Sequence, residues 1–173
     1  MDLKYKYFLF LLTFSILFGN SNLDNRGYIV KVGDKAPDFT TTLTTGEKIR
    51  LSDLKGSVVI LQFTASWCSV CRIEMPHLEK DIWKKFKNEN LALIGIDRDE
   101  PLKTVVDFKK EMGTTYPIGL DPGAQIFSLY AEKNSGVTRN IVINQYGEIV
   151  FLTRLFEENE YKQMLSVIEN LVY

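Results

Sequence analysis

Cysteine and histidine are almost missing from this chain, which has two cysteines, Cys68 and Cys71, and one histidine, His77, among 173 residues. A structural zinc site wants four soft ligands, and these three do not supply them. His77 follows Cys71 by six positions, about a third of a turn off its face on a helix. Transient copper handling by the cysteine pair is the metal chemistry left open. Two cysteines three apart also close too small a loop to staple a fold. An excess of one charge is absent too: 21 lysines and arginines meet 22 acidic residues, with no basic stripe interleaved with aromatics. That sets nucleic acid aside as a partner. There is no internal repeat, low-complexity tract or second domain. With 45% hydrophobic and 12% aromatic residues, the chain builds one globular core without disulfide support.

Long apolar runs are also lacking, except near the start. Lys4 and Lys6 precede residues 7–19, a run apolar but for Thr13 and Ser15, and Gly19-Asn20-Ser21 offers small residues at a cleavage position. This is the shape of a secretory signal, and it falls short of the ~20 residues that span a bilayer comfortably. Residues 1–21 therefore read as a signal peptide, 22–31 as a polar tether without a clear period, and 32–173 as the domain. An uncleaved membrane anchor is the alternative reading of the first segment. No cysteine lies near it, which excludes lipoprotein attachment there. The protein is expected to be exported, to the periplasm or cell envelope.

The two cysteines stand together in Trp67-Cys68-Ser69-Val70-Cys71, between two strongly patterned stretches. Before them, the β-branched run Val58, Val59, Ile60, followed by Leu61, reads as a strand buried on both faces. After them, Met75, Leu78, Ile82 and Phe86 recur at helical spacing. The pair thus sits where a strand hands over to a helix. Residues three apart on a helix lie about one turn above each other, so the sulfurs can close a short disulfide. Cys68 at the helix N-terminus would face unpaired N–H groups and the positive end of the dipole, which lower a thiol pKa and mark the nucleophile. Cys71, one turn in, is then the resolving thiol.

The other elements follow in order. Residues 40–43 and 48–51 flank a turn at Gly46 and predict a short hairpin; residues 52–56 predict a capped turn. The helix after Cys68 should reach about Asn88 and kink at Pro76, which removes an internal hydrogen bond. Residues 91–97 form the next strand, and a helix between two such runs implies a parallel βαβ unit. Pro101 opens a helix to about Met112. Residues 113–123 read as irregular with an extended piece at Tyr116-Pro117-Ile118, 124–130 as a short helix, and 131–136 as a loop. A hairpin follows, with strands 140–144 and 149–154. A helix from about Glu157 carries Tyr161, Leu165, Ile168 and Val172 on one face.

Strand, Trp-Cys-x-x-Cys, proline-bearing helix, βαβ unit and terminal hairpin with helix is the thioredoxin order. Residues 32–39, the Gly46 turn, residues 51–56 and the stretch to Met75-Pro76 resemble the exported TlpA/ResA-like, AhpC/TSA-redoxin-like branch of that superfamily. The resemblance covers nearly all of the chain after the tether. It implies an α/β thioredoxin-like fold, a central mixed sheet flanked by helices with an N-terminal β-hairpin extension. It also implies an enzyme, a thiol-disulfide oxidoreductase at the membrane or in the periplasm that commonly reduces other envelope proteins. No cofactor is expected, and the protein reads as a monomer. Its partners would be disulfide-bearing envelope proteins and a membrane electron donor.

Departures from the family pattern single out further residues. The buried aspartate that thioredoxins place six residues before the first cysteine is here Gln62, which does not titrate. Glu74, one helical turn after Cys71 and a recurring glutamate in this branch, takes the proton-carrier role, with burial raising its pKa above ~4.3; the plain alternative is a solvated helix glutamate beside Arg72. The family's cis-proline facing the cysteines is replaced by Thr138. A cis peptide before threonine costs ~2.5 to 4 kcal/mol, so trans is expected. Arg139, beside it, either holds the Cys68 thiolate or an acidic substrate or points to solvent. Trp67 belongs to the substrate platform, together with Thr138 and Arg139. A peroxiredoxin-like thiol peroxidase is the rival on this fold. Its pattern wants threonine or serine three residues before the reactive cysteine and proline seven before. Cys68 has Ala65 and Leu61 there, and Cys71 has Cys68 and Thr64.

Overall fold

The structure is a computed structural model that describes residues 26–173. The expected signal peptide and the first part of the expected tether lie outside the described residues. In chain order the strands are β1 (Thr40–Leu43), β2 (Lys48–Arg50), β3 (Val58–Thr64), β4 (Leu91–Arg98), β5 (Ile118–Asp121), β6 (Arg139–Ile143) and β7 (Ile149–Arg154). They form one sheet in the order β2-β1-β5-β4-β3-β6-β7. β3 pairs in parallel with β4 and antiparallel with β6, and β5 runs parallel to β4 and antiparallel to β1. The sheet is mixed, as expected, and the β1–β2 hairpin extends one edge.

The helices are α1 (Ser69–His77), α2 (Lys84–Phe86), α3 (Leu102–Met112) and α4 (Glu158–Val172). Alternation along the strands divides the core in two. Val58 and Ile60 of β3 pack with Met75, Leu78, Val105, Phe108, Met164 and Ile168 from the helices. Val59, Leu61 and Phe63 face the other way, toward Tyr28, Phe39, Phe127 and Tyr130, and the two cysteines join this second cluster.

At Pro76 the helical hydrogen bonding changes register. After it the helix continues through a π segment, Leu78–Trp83, before α2. Proline has no N–H to give the carbonyl of Arg72, and the bonding slips: the Leu78 N–H reaches both Glu74 O and Met75 O, and the Lys84 N–H reaches Glu79 O. A second difference is β5. The sequence shows only an extended piece at 116–118, whereas a full strand fits between β4 and β1 because Gly119 has no side chain to strike Thr41. The expected helix at 124–130 is two 3-10 turns, held by the Asp121 carboxylate, which accepts from the Ile126 and Phe127 N–H groups at 2.7 and 2.8 Å.

The described part of the expected tether is docked, not free. Tyr28 is buried, its hydroxyl donates to Thr153 O at 2.5 Å, and it bridges to Ala131. Ile29 N–H donates to Tyr130 O, and Arg26 pairs with Glu160 at 2.7 Å. Polar composition without a period hid a single aromatic anchor.

Candidate active site

β3 ends at Thr64, the chain turns through Ala65, Ser66 and Trp67, and α1 begins, with Cys68 as its N-cap residue. Cys68 Sγ accepts a hydrogen bond from the Cys71 N–H at 3.1 Å, so it already occupies the place where a helix N-terminus favours negative charge. The two sulfurs are joined in a disulfide with Cα atoms 5.3 Å apart. The pair is asymmetric toward solvent: Cys68 retains 8% exposure and Cys71 none. Trp67, 63% exposed, precedes Cys68 in the turn and borders a cleft with Arg98, Asp99, Asn134 and Gly136.

Thr138 precedes β6 and brings its side chain to the disulfide. Its hydroxyl lies 2.9 Å from Cys68 Sγ and 3.2 Å from Cys71 Sγ. Disulfide sulfur has no proton to give, so the hydroxyl is the donor. Val137–Thr138 is trans, as is every peptide among the described residues. The Thr138 carbonyl accepts from Leu155 N–H at 3.1 Å.

Arg139 alternates to the opposite side of the strand. It is fully buried, its guanidinium donating to Gly136 O at 3.0 Å and Arg26 O at 2.7 Å and lying 4.5 Å from the Tyr28 ring centre. That burial corrects the solvent-facing reading and removes Arg139 from a surface where an acidic substrate would meet it. The residue packs the docked N-terminal segment against β6.

Glu74 is not a solvated helix glutamate. It is buried, and its carboxyl accepts from Asn140 Nδ2 at 2.6 Å and from Gln62 Nε2 at 3.3 Å. Gln62 in turn accepts from the Tyr116 hydroxyl at 2.7 Å, and Asn140 also donates to Thr153 Oγ1 at 3.0 Å. Burial pushes the Glu74 carboxyl up to about 7, and the two amide donors hold it from going higher. Gln62, which stands where an aspartate would carry the proton, thus supports the carboxyl that has moved to the helix. Asn140 had no warning in the local pattern beyond being a polar residue beside the apolar run Ile141-Val142-Ile143. It faces Glu74 because β6 pairs Asn140 with Gln62. His77 stacks on Phe156 with ring centres 4.9 Å apart and lies 3.7 Å from Asp81.

The arrangement is a solvent-reachable sulfur at a helix N-cap, a buried partner sulfur one turn in, and a buried acid poised near neutral pH one turn further. Comparison with known proteins agrees with this chemistry. The model of the AhpC/TSA family matches residues 32–152. Thiol-disulfide oxidoreductase ResA of a Bacillus cereus strain is 32% identical over 142 residues, covering 82% of this chain and 79% of that protein. A Bacteroides thetaiotaomicron protein provisionally named a protein disulfide isomerase is 58% identical; its solution structure superposes with a TM-score of 0.82, covering 84% of this chain and 92% of that one. The thioredoxin domain of a thiol-disulfide oxidoreductase from Bacteroides vulgatus, 23% identical with a TM-score of 0.71 over 83% of this chain and 99% of that one, shares the fold.

Proposed function

The chain belongs to the AhpC/TSA family and is a ResA-like thiol-disulfide oxidoreductase of the thioredoxin superfamily; from that premise we propose that it is exported and reduces disulfides of envelope proteins through a Cys68/Cys71 dithiol cycle. The observation that carries this reading is the difference between the two sulfurs, with Cys68 reachable at the N-cap and Cys71 sealed behind it above the buried Glu74.

In the reduced protein the Cys68 thiolate attacks one sulfur of a substrate disulfide. The S–S bond of the substrate breaks, a Cys68–substrate mixed disulfide forms, and the departing substrate sulfur takes a proton. Cys71 then gives its proton toward Glu74 and attacks Cys68 Sγ. The Cys68–Cys71 bond forms and the second substrate thiol leaves, so two electrons have passed to the substrate. A carboxyl with a pKa of about 7 is ionised often enough to take that proton and acidic enough to return it. Regeneration needs a dithiol donor, which for an exported protein is a membrane protein carrying electrons outward. When the donor attacks Cys68 Sγ, Cys71 leaves as a thiolate, and the Thr138 hydroxyl is in place to donate to it. Trp67 supplies an exposed apolar surface beside Cys68 on which a substrate chain rests.

The order of attack is tested with Cys71→Ser. This variant should accumulate a mixed disulfide through Cys68 with a disulfide-bearing protein substrate, seen as an intact-mass adduct that dithiothreitol removes. Cys68→Ser should form none. An adduct on Cys71 in Cys68→Ser, with none on Cys68, would reverse the assignment.

A further inference from the structure

A second buried carboxyl lies at the same end of the sheet and has no part in the cycle described above. Asp97 pairs with Thr64 where β3 and β4 end together, and its side chain is fully buried. Among the described residues, neither of its oxygens receives a hydrogen bond. An ionised carboxylate in that position would lack every compensation that makes a buried charge tolerable. Its immediate neighbour is Glu100, and two carboxyls in contact become hydrogen-bonded only when one of them carries a proton. Glu100 is already occupied on the other side: its two oxygens accept from Ser66 N–H and Ser66 Oγ–H, each at 2.6 Å. The carbonyl of Ser66 accepts from Arg72 Nε at 2.9 Å, and the Cys68 N–H closes the turn onto Ala65 O at 3.1 Å. All three polar groups of Ser66 are therefore fastened, two residues before the nucleophile.

We propose that Asp97, as the neutral acid, and Glu100, as the carboxylate it donates to, are positioning residues that hold the Ser66 turn and thereby set Cys68 for attack. The inference rests on the reading of Cys68 as the nucleophile. Burial, reinforced by the negative charges of Glu100 and Asp121, pushes the Asp97 carboxyl up to about 8. Among the described residues, the charged groups around it offer no cation in exchange. Asp121 of β5 is spent on the Ile126 and Phe127 N–H groups, and Asp99 accepts from Gly123 N–H. Arg72 of α1 reaches the turn but pairs with Glu111 of α3, and Arg98 donates to the carbonyls of Lys133 and Ser135. When the shared proton is lost, two adjacent carboxylates repel and Glu100 releases Ser66, so Cys68 is no longer held for attack.

The test uses the purified, fully reduced protein and 4,4′-dithiodipyridine as a small disulfide probe. Thiolate absorbance at 240 nm and the rate of attack are followed from pH 6 to 10. In the wild type the rate per thiolate should fall as pH rises through about 8. Asp97→Asn replaces the acid by an amide that donates to Glu100 at every pH, so this fall should vanish. Glu100→Ala removes the anchor and should lower the rate about tenfold at all pH values, the worth of hydrogen bonds to a charged group. Circular dichroism confirms that each variant is folded. Superposable profiles for wild type and Asp97→Asn would overturn the positioning role, provided the reaction still requires Cys68. If Cys68→Ser reacts with the probe as the wild type does, it is the nucleophile assignment that fails.

Discussion

Glu74 and Asp97 are two buried acids on the helix-covered face of the same sheet, and what meets each carboxyl differs. Glu74 is met by the amide donors of Gln62 and Asn140, while Asp97 is met by no donor among the described residues and by the acidic neighbours Glu100 and Asp121. Burial raises both. At Glu74 hydrogen bonding to the ionised form limits the rise, which keeps the group near neutrality and able to pass a proton in both directions. At Asp97 like charges add to the rise, which keeps the proton in place. A buried carboxyl becomes a carrier or a fixed acid according to what donates to it.

The largest expected effect of this contrast is on stability. Both acids have folded-state pKa values above those of the unfolded chain, so between about 4 and the folded value the native protein holds protons that the unfolded chain has released. Stability should therefore fall as pH rises from about 4 through about 7 for Glu74 and about 8 for Asp97. At ~1.4 kcal/mol per pKa unit, the upper bounds are on the order of 6 kcal/mol for Asp97 and on the order of 4 kcal/mol for Glu74. Urea unfolding at a series of pH values should show Asp97→Asn more stable than wild type above pH 8, with Glu74→Gln flattening a smaller, earlier part of the curve. A larger change from Glu74→Gln would reverse the comparison.

Catalysis sharpens it next. Glu74→Gln leaves a neutral amide among Gln62 and Asn140 and removes the proton acceptor for Cys71. Resolution of a preformed Cys68 mixed disulfide should slow about tenfold or more at pH 7, within the range of general base catalysis, while the first attack by Cys68 stays near the wild-type rate. Rapid-quench mass analysis of the two steps would show it; equal slowing of both would return Glu74 to a packing role.

The smallest effect expected concerns the sulfurs themselves. Thr138→Val keeps the branched shape and removes the donor to Cys68 and Cys71. It should raise the Cys68 thiol pKa by about one unit, as a lost hydrogen bond to a charged sulfur would, and Thr138→Ser should restore it. An unchanged titration in Thr138→Val would confine that residue to packing.

Much of this was legible along the chain, and the rest was decided across it. Trp67, Cys68, Cys71, Glu74 and Pro76 lie within ten consecutive residues, so spacing alone orders them on one turn and one helix. Gln62 was visible only as a departure, and its partnership with Glu74 needed the fold. Asn140 beside Gln62, and Asp97 beside Thr64, are products of strand register between segments far apart in sequence. No local period reports such pairs. Glu100 looks like an ordinary acidic residue before a helix until β4 brings it to Ser66. The extended piece at Tyr116-Pro117-Ile118 shows only the start of β5, because residues 118–121, with Gly119 among them, carry almost no β signal, although the strand completes the sheet. Residues 26–31 carry only a weak local pattern, yet the buried Tyr28 and the Arg26–Glu160 pair dock them.

The reduction potential of the Cys68–Cys71 disulfide, measured by equilibrating the protein against a thiol buffer series and trapping free thiols, bears most directly on the proposed direction of electron flow. A reductant should lie toward the thioredoxin end, near about −270 mV. A value near about −120 mV, that of a dedicated oxidant such as DsbA, would contradict a reducing cycle and make the protein a donor of disulfides.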